Sequence, residues 1–230
     1  MSKSINFTKI KETKVMNTEI FLVRHGETEW NATGKFQGST DICLSERGIA
    51  QAQYAKPRLK NKFDVIYTSP LKRALQTAQI ISEGSGKTPI IINDLREINF
   101  GKWEGLTRKE IRALYGSEFD SWQNDDENAY LVEGDISLKM ASIRAKNAIL
   151  KIAQDCPGKK VLIVAHGGII KAGLVGIFDW KMTMYHRIFL DNTSISSLSF
   201  DSSLNPTLVT LNDTNHVPDE YKGDSYIYRQ

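Results

Sequence analysis

Cysteine is scarce: the 230 residues hold only Cys43 and Cys156, far apart and at no metal-binding or redox spacing. Both read as reduced thiols in a cytoplasmic protein. No apolar run reaches transmembrane length, and residues 1–18 carry Lys3, Lys9, Lys11 and Lys14 without an apolar block of signal-peptide type. Charge of one sign is also short. Thirty basic residues face twenty-seven acidic ones, too small an excess to argue for a nucleic-acid stripe. No HxxxH, HxH or carboxylate-rich cluster accompanies the histidines, so neither a metal nor another cofactor is expected. Internal repeats and low-complexity segments are absent as well.

What is present is an alternation of short apolar runs with longer amphipathic ones, the βαβ pattern of a largely parallel sheet covered on both faces. The expected strands are Glu19–Arg24, Asp64–Thr68, Ile90–Asn93, Val161–Ala165, Ser194–Phe200 and Thr207–Leu211, the last two paired as a hairpin or edge. The expected helices are Glu46–Lys60, Leu71–Ser82, Arg108–Tyr115 and Ser137–Gln154. One domain over 16–230 is the economical organisation, preceded by a disordered arm over residues 1–15. Gly84-Ser85-Gly86-Lys87-Thr88 imitates the end of a phosphate-binding loop, but the first glycine of that motif would fall on Ile81. The segment also follows a helix and enters a strand, the reverse of the required order, and reads as a helix end and turn.

In open α/β sheets ligands bind beyond the carboxyl ends of the strands. The residues there are Arg24-His25-Gly26-Glu27-Thr28 after the first strand, Ser69-Pro70-Leu71-Lys72-Arg73 after the second, Glu97 after the third, and His166-Gly167-Gly168 after the fourth. Parallel strands would bring two histidines, two arginines and a glutamate to one edge. Phosphoryl transfer suits these groups: arginine meets phosphate oxygens with a rigid, always-charged fork, and neutral imidazole is a good nucleophile. Arg73 should lie in the first turn of its helix, with Thr68 or Ser69 as cap and Pro70 as the first helical residue, where backbone N–H groups favour an anion.

The Arg24-His25-Gly26-Glu27-Thr28 run resembles the signature of the histidine phosphatase superfamily, the phosphoglycerate mutase-like clan. The likeness spans roughly residues 19–216 and includes Asn31, Gln37-Gly38, Leu44-Ser45-Glu46-Arg47-Gly48, Thr68 to Ala74, Glu97 with Gly101-Lys102-Trp103-Glu104-Gly105, Ala165 to Gly168, and Leu211 to Thr214. It implies a three-layer α/β/α sandwich around a mostly parallel sheet. It implies a phosphomonoester hydrolase of the smaller phosphatase branch, acting on a small phosphorylated metabolite, with no nucleic-acid or membrane partner and with a homodimer left open. By the same resemblance His25 attacks phosphorus; Arg24, Arg73, His166 and Gly167 hold the transferring group with Asn31 and Gln37; and Glu97 serves as acid and then base.

Each of these residues has a plainer reading: satisfied core histidines, a solvated Arg73, loop-organising Asn31 and Gln37. Glu27 and Glu104 rival Glu97 as the acid. Trp30 and Trp103 read as packing groups, and His186 and His216 as structural or surface residues. A cofactor-dependent phosphoglycerate mutase would share the histidine pair, but the long insertion and the Arg-Arg pair of those enzymes are missing here; a catalytically dead binding relative would have lost one of the key groups. The segment Ala113–Leu138 holds seven acids and no Lys or Arg. As a lid it would favour a monophosphate with a neutral or cationic body; as a solvent-facing stretch it would select nothing. The disordered-arm reading makes a first prediction: a chain starting at Met16 keeps phosphatase activity, and loss of turnover in that truncation would contradict it.

Overall fold

The computed structural model describes residues 17–124, 129, 131, 133–134 and 137–222. The expected N-terminal arm, and Asp125, Asp126, Glu127 and Asp135 of the acidic segment, lie outside the described residues.

Among the described residues six strands share one sheet in the order β3-β2-β4-β1-β5-β6. The strands β1 (Thr18–Arg24), β2 (Val65–Thr68), β3 (Ile90–Ile91) and β4 (Lys160–Ala165) run parallel, β5 (Ile195–Phe200) is antiparallel to β1, and β6 (Pro206–Asp213) is antiparallel to β5. Helices α1 (Glu29–Ala32), α2 (Glu46–Leu59), α3 (Lys72–Ser82), α4 (Arg108–Leu114), α5 (Gly116–Gln123), α6 (Leu138–Asp155) and α7 (Gly167–Ile177) cover it, giving the expected α/β sandwich.

β4 shows why its sequence is an unbroken apolar run. Val161, Ile163 and Ala165 join the core shared with α6 and α7, while Leu162 and Val164 join the core that Ala55, Leu59, Ala74, Ala78 and Ile81 supply from α2 and α3. A strand buried on both faces has no polar face to alternate with. At the sheet edge β3 pairs over two residues only, short of the expected Ile90–Asn93, and both its isoleucines are exposed. The hairpin of β5 and β6, and the turn at Gly84 and Gly86 (φ 75° and 73°), match the sequence reading.

Three local expectations are corrected. First, α3 begins at Lys72 with Leu71 at the cap and no side-chain capping bond, so Pro70 stands outside the helix. Ser69 Oγ accepts from Leu71 N in the preceding turn instead of capping the helix deeper. Second, α5 was not expected; its only buried residues are Phe119 and Trp122, too sparse a stripe to read as periodic. Third, α7 was not expected because Gly167, Gly168, Gly173 and Gly176 lower helix propensity. Two of these glycines let α7 sit against α6: a Cβ on Gly173 would lie 3.0 Å from Ile149 Cδ1, and one on Gly176 2.6 Å from Ser142 Oγ.

The loop after β1 is pressed onto the start of α2. A Cβ on Gly48 would collide with the Glu27 carbonyl oxygen, and one on Gly26 with the Gly48 carbonyl oxygen. Both obstacles are backbone, which cannot swing aside. Gly48→Ala should therefore lower stability by about 1–3 kcal/mol despite alanine's better helix propensity. A denaturant midpoint equal to or above that of the parent chain would refute this packing.

Candidate active site

His25 follows β1 directly and is held from three sides. Its N–H donates to Ala165 O on β4 (2.9 Å), and its carbonyl accepts from Asn192 Nδ2 (3.0 Å) and Thr193 N (3.3 Å). The next N–H, on Gly26, donates to Thr77 Oγ1 of α3 (3.0 Å). The ring Nδ1 lies 2.6 Å from Gly26 O, an acceptor, so Nδ1 carries the proton and Nε2 is left with its lone pair. Burial, then the charges of Arg73 and Arg24, push the His25 pKa well below its ordinary value, against the opposing bond to Gly26 O. The ring is neutral at neutral pH, as a nucleophile must be.

His166 caps α7 with extended backbone, its ring centroid 5.1 Å from that of His25. Its Nδ1 accepts from Arg73 Nε (3.1 Å), so the neutral ring bears its proton on Nε2, which donates to Ser69 Oγ (2.7 Å). Burial and Arg73 lower its pKa as well. The ring is fully buried and is not among the residues lining the cavity beside His25; it holds Arg73 through Nδ1. Arg73 is itself buried, with Nη1 donating to Thr40 O (2.8 Å) and Nη2 to Gly38 O (2.7 Å). The solvated alternative for Arg73 is thereby excluded.

Arg24 donates from Nη1 to Leu190 O (2.6 Å), while its buried Nε has no hydrogen-bond partner among the described residues. A Cβ on Gly167 would lie 3.3 Å from that Nε, so the absent side chain is what opens the approach to it. Asn31 and Gln37 also line the cavity. Asn31 Oδ1 accepts from Thr28 N and Asn192 Nδ2, so this residue does organise its loop, and Gln37 Oε1 is buried without a partner among the described residues.

Of the three candidate acids, Glu97 alone lines the cavity. Its Oε2 accepts from Gly168 N (2.9 Å) and its Oε1 from Ile169 N (2.8 Å), the first turn of α7, and from Ile98 N (3.0 Å). Glu27 is buried elsewhere, bonded by Ser45 Oγ. Glu104 is a clamp: its carboxylate accepts from Ser39 N (2.8 Å), Thr40 N (3.0 Å) and Phe100 N (3.0 Å), fixing the turn whose carbonyls hold Arg73. Its place in the Gly-Lys-Trp-Glu-Gly run was legible; its partner turn was not. Thr77 and Asn192 were missed altogether, and Ser69 was read only as a helix cap, since no local pattern marks a residue that serves through a tertiary hydrogen bond.

The cavity measures about 1190 Å³, and apart from Arg24 and Arg73 its wall carries Lys35, Arg108, Lys109, Arg112, Lys171 and Arg187. Glu97 is the only carboxylate among the described lining residues. Of the acidic segment, Phe119, Trp122 and Gln123 line the wall, while Glu118 and Asp120 do not. His186 lines the cavity with Nε2 bonded to Trp122 O (2.8 Å), a structural contact. Trp103 is the expected packing group, buried among Phe36, Phe100, Phe119 and Trp122. No group of three potential metal ligands occurs among the described residues, and no described helix is long and apolar enough to cross a membrane.

Both histidines have depressed folded pKa values, so between those values and about 6.5 the unfolded chain binds more protons than the folded one, and stability falls as pH drops through that window. NMR titration should find both rings neutral through pH 6.5, with the melting temperature declining below it. Protonation of either ring at or above pH 6.5 would contradict the tautomers assigned here.

Comparison with known proteins agrees with this geometry. The family model for the histidine phosphatase superfamily (branch 1) matches residues 20–214. Phosphoserine phosphatase 1 of Hydrogenobacter thermophilus is 30% identical over 204 residues, 88% of this chain and 96% of that protein. The probable 2-carboxy-D-arabinitol-1-phosphatase of Arabidopsis thaliana is 35% identical over 184 residues, 79% of this chain, which spans 38% of that longer protein. Among solved structures, a histidine-to-alanine mutant of Entamoeba histolytica phosphoserine phosphatase in complex with phosphoserine superposes with a TM-score of 0.82 at 35% identity, over 87% of this chain and 100% of that one. With its two histidines and two arginines at one sheet edge, the chain belongs to the histidine phosphatase superfamily.

Proposed function

We propose that this chain hydrolyses the phosphomonoester of a small metabolite through a phosphohistidine at His25. One observation carries the reading: His25, its Nδ1 proton turned to Gly26 O, lines one cavity with Arg24, Arg73 and Glu97, and the buried Nε of Arg24 has no hydrogen-bond partner among the described residues. Nε2 forms the bond to phosphorus as the ester P–O bond breaks. Arg24 and Arg73, with Asn31, Gln37 and the Gly167 backbone, hold the equatorial oxygens where charge accumulates. Glu97 in its protonated form gives its proton to the departing alkoxide. It then takes one from the water that cleaves the phosphohistidine, returning His25 and releasing inorganic phosphate. His166 keeps the Arg73 fork aimed and donates directly once its Nε2–H transfers from Ser69 to a phosphoryl oxygen.

Relatives named as phosphatases support hydrolysis over a mutase reaction, and the presence of His25, Arg24, Arg73 and His166 in the chain speaks against a dead binding relative. The same reading takes residues 16–230 as one domain and the chain as cytoplasmic, in keeping with its two free thiols.

A p-nitrophenyl phosphate assay with chelator present should show turnover in the parent chain and none in His25→Ala. His166→Ala should lose on the order of 100–1000-fold in rate. Near-normal activity in His25→Ala would end the phosphohistidine reading; chelator-sensitive activity would point to a metal enzyme.

A further inference from the structure

The carbonyl that fixes the His25 tautomer belongs to the peptide unit joining Gly26 and Glu27. His25 Nδ1–H donates to the oxygen of that unit (2.6 Å), and its N–H, on Glu27, donates to Gln51 Oε1 (2.8 Å). Gln51 is buried in the second turn of α2, and its other amide atom meets the C-terminal segment: Nε2 donates to Tyr221 O (2.7 Å). An N–H on one side and a carbonyl on the other admit a single orientation of this amide. Tyr221 closes the short turn Asp219–Tyr221, and its ring packs on that of Tyr54, one helical turn beyond Gln51, at 5.2 Å between centroids. The reaction at His25 accounts for none of Gln51, Tyr54 and Tyr221.

We propose that Gln51 is a positioning residue for the nucleophile: it holds the Gly26–Glu27 peptide so that its oxygen keeps the His25 proton on Nδ1, and the turn at Tyr221 holds Gln51 in that pose.

A peptide unit beside glycine turns over more readily than others, because no Cβ on Gly26 opposes the change in backbone angle. Turned over, this unit would offer Nδ1 an N–H in place of an oxygen, and the proton would move to Nε2, the atom that must attack. The bond to Gln51 opposes that flip, since a reversed unit would set the Gly26 oxygen against Oε1. The Glu27 carbonyl accepts from Ser45 N (2.9 Å) at the start of the same helix, so both polar backbone groups of Glu27 are tied to α2. Hydrogen bonds on the two sides of one peptide group polarise each other, which makes the Gly26 oxygen a better acceptor. As phosphorus bonds to Nε2 the ring becomes cationic and the Nδ1–H bond to that oxygen becomes charge-assisted. The contribution of Gln51 therefore grows in the transition state and falls on kcat more than on KM. The kinetic part rests on the phosphohistidine reading; the tautomer is a property of the folded chain alone.

NMR of the full chain with isotope-labelled histidine nitrogens reads the tautomer, and p-nitrophenyl phosphate reads turnover. The parent chain should hold the His25 proton on Nδ1. Gln51→Met keeps the side-chain length and removes both bonds; it should mix the two tautomers and lower kcat about tenfold, with KM within about twofold of the parent. Gln51→Glu, whose carboxylate still accepts from Glu27 N–H, should keep the proton on Nδ1. A proton confined to Nδ1 in Gln51→Met, or lost from it equally in both variants, overturns the proposal. Should Gln51→Met fail to fold, Tyr221→Ala decides in its place. It leaves α2 intact and unseats the turn from Tyr54, so some Nε2–H tautomer should enter and kcat should fall about threefold; parental values of both overturn the proposal. A tautomer shift in Gln51→Met, with no turnover of any phosphomonoester by the parent chain, keeps the positioning role and removes the phosphatase. A parental tautomer in that variant, with turnover by the parent chain, removes the positioning role alone.

Discussion

The site depends on keeping two imidazoles neutral beside two permanently charged guanidinium groups. Burial alone disfavours imidazolium, and Arg24 and Arg73 add repulsion, so the folded chain pays for a bare Nε2 with the cost of holding like charges together. The cationic field that would bind a phosphoryl group is the same field that keeps the nucleophile unprotonated. Everything around it fixes the partners of these four groups. Arg73 is held by Gly38 O, Thr40 O and His166, Arg24 by Leu190 O, and His25 by Gly26 O.

That arrangement explains why a carboxylate distant from the chemistry matters. Glu104 satisfies three backbone N–H groups of the turn and of Phe100, and that turn aims the two carbonyls which grip Arg73. Gly38 adopts φ 53°, and a Cβ there would collide with the Glu104 carboxylate, so glycine and clamp require each other. Glu97 is placed by a different device, the free N–H groups at the start of α7. Glu97 and His166 are thus both tied to one helix terminus, Glu97 by the free N–H groups of α7 and His166 as its N-cap residue.

The first two turns of α7 face the basic cavity. Its first turn positions Glu97 and opens the approach to Arg24, and its second turn presents Lys171 to the same space. The four glycines that hid this helix from a propensity argument serve both roles: Gly167 and Gly168 clear room for Arg24 and Glu97, Gly173 and Gly176 for α6. Charge counted along Ala113–Leu138 says nothing of which side chains turn inward, and in α5 the inward ones are Phe119 and Trp122.

The order of motifs at strand ends was enough to read the sheet, the histidine pair and the two arginines. A parallel strand places its carboxyl end at one edge whatever surrounds it, and the histidine and arginine runs are local. The tautomer of His25, the backbone N–H groups that hold Glu97, the contact of His166 with Arg73 and the sign of the described cavity wall came only from tertiary structure. Each depends on a hydrogen bond or an orientation joining residues dozens of positions apart, from Gly168 to Glu97 or from Arg73 to His166, and such distances leave no trace in local periodicity.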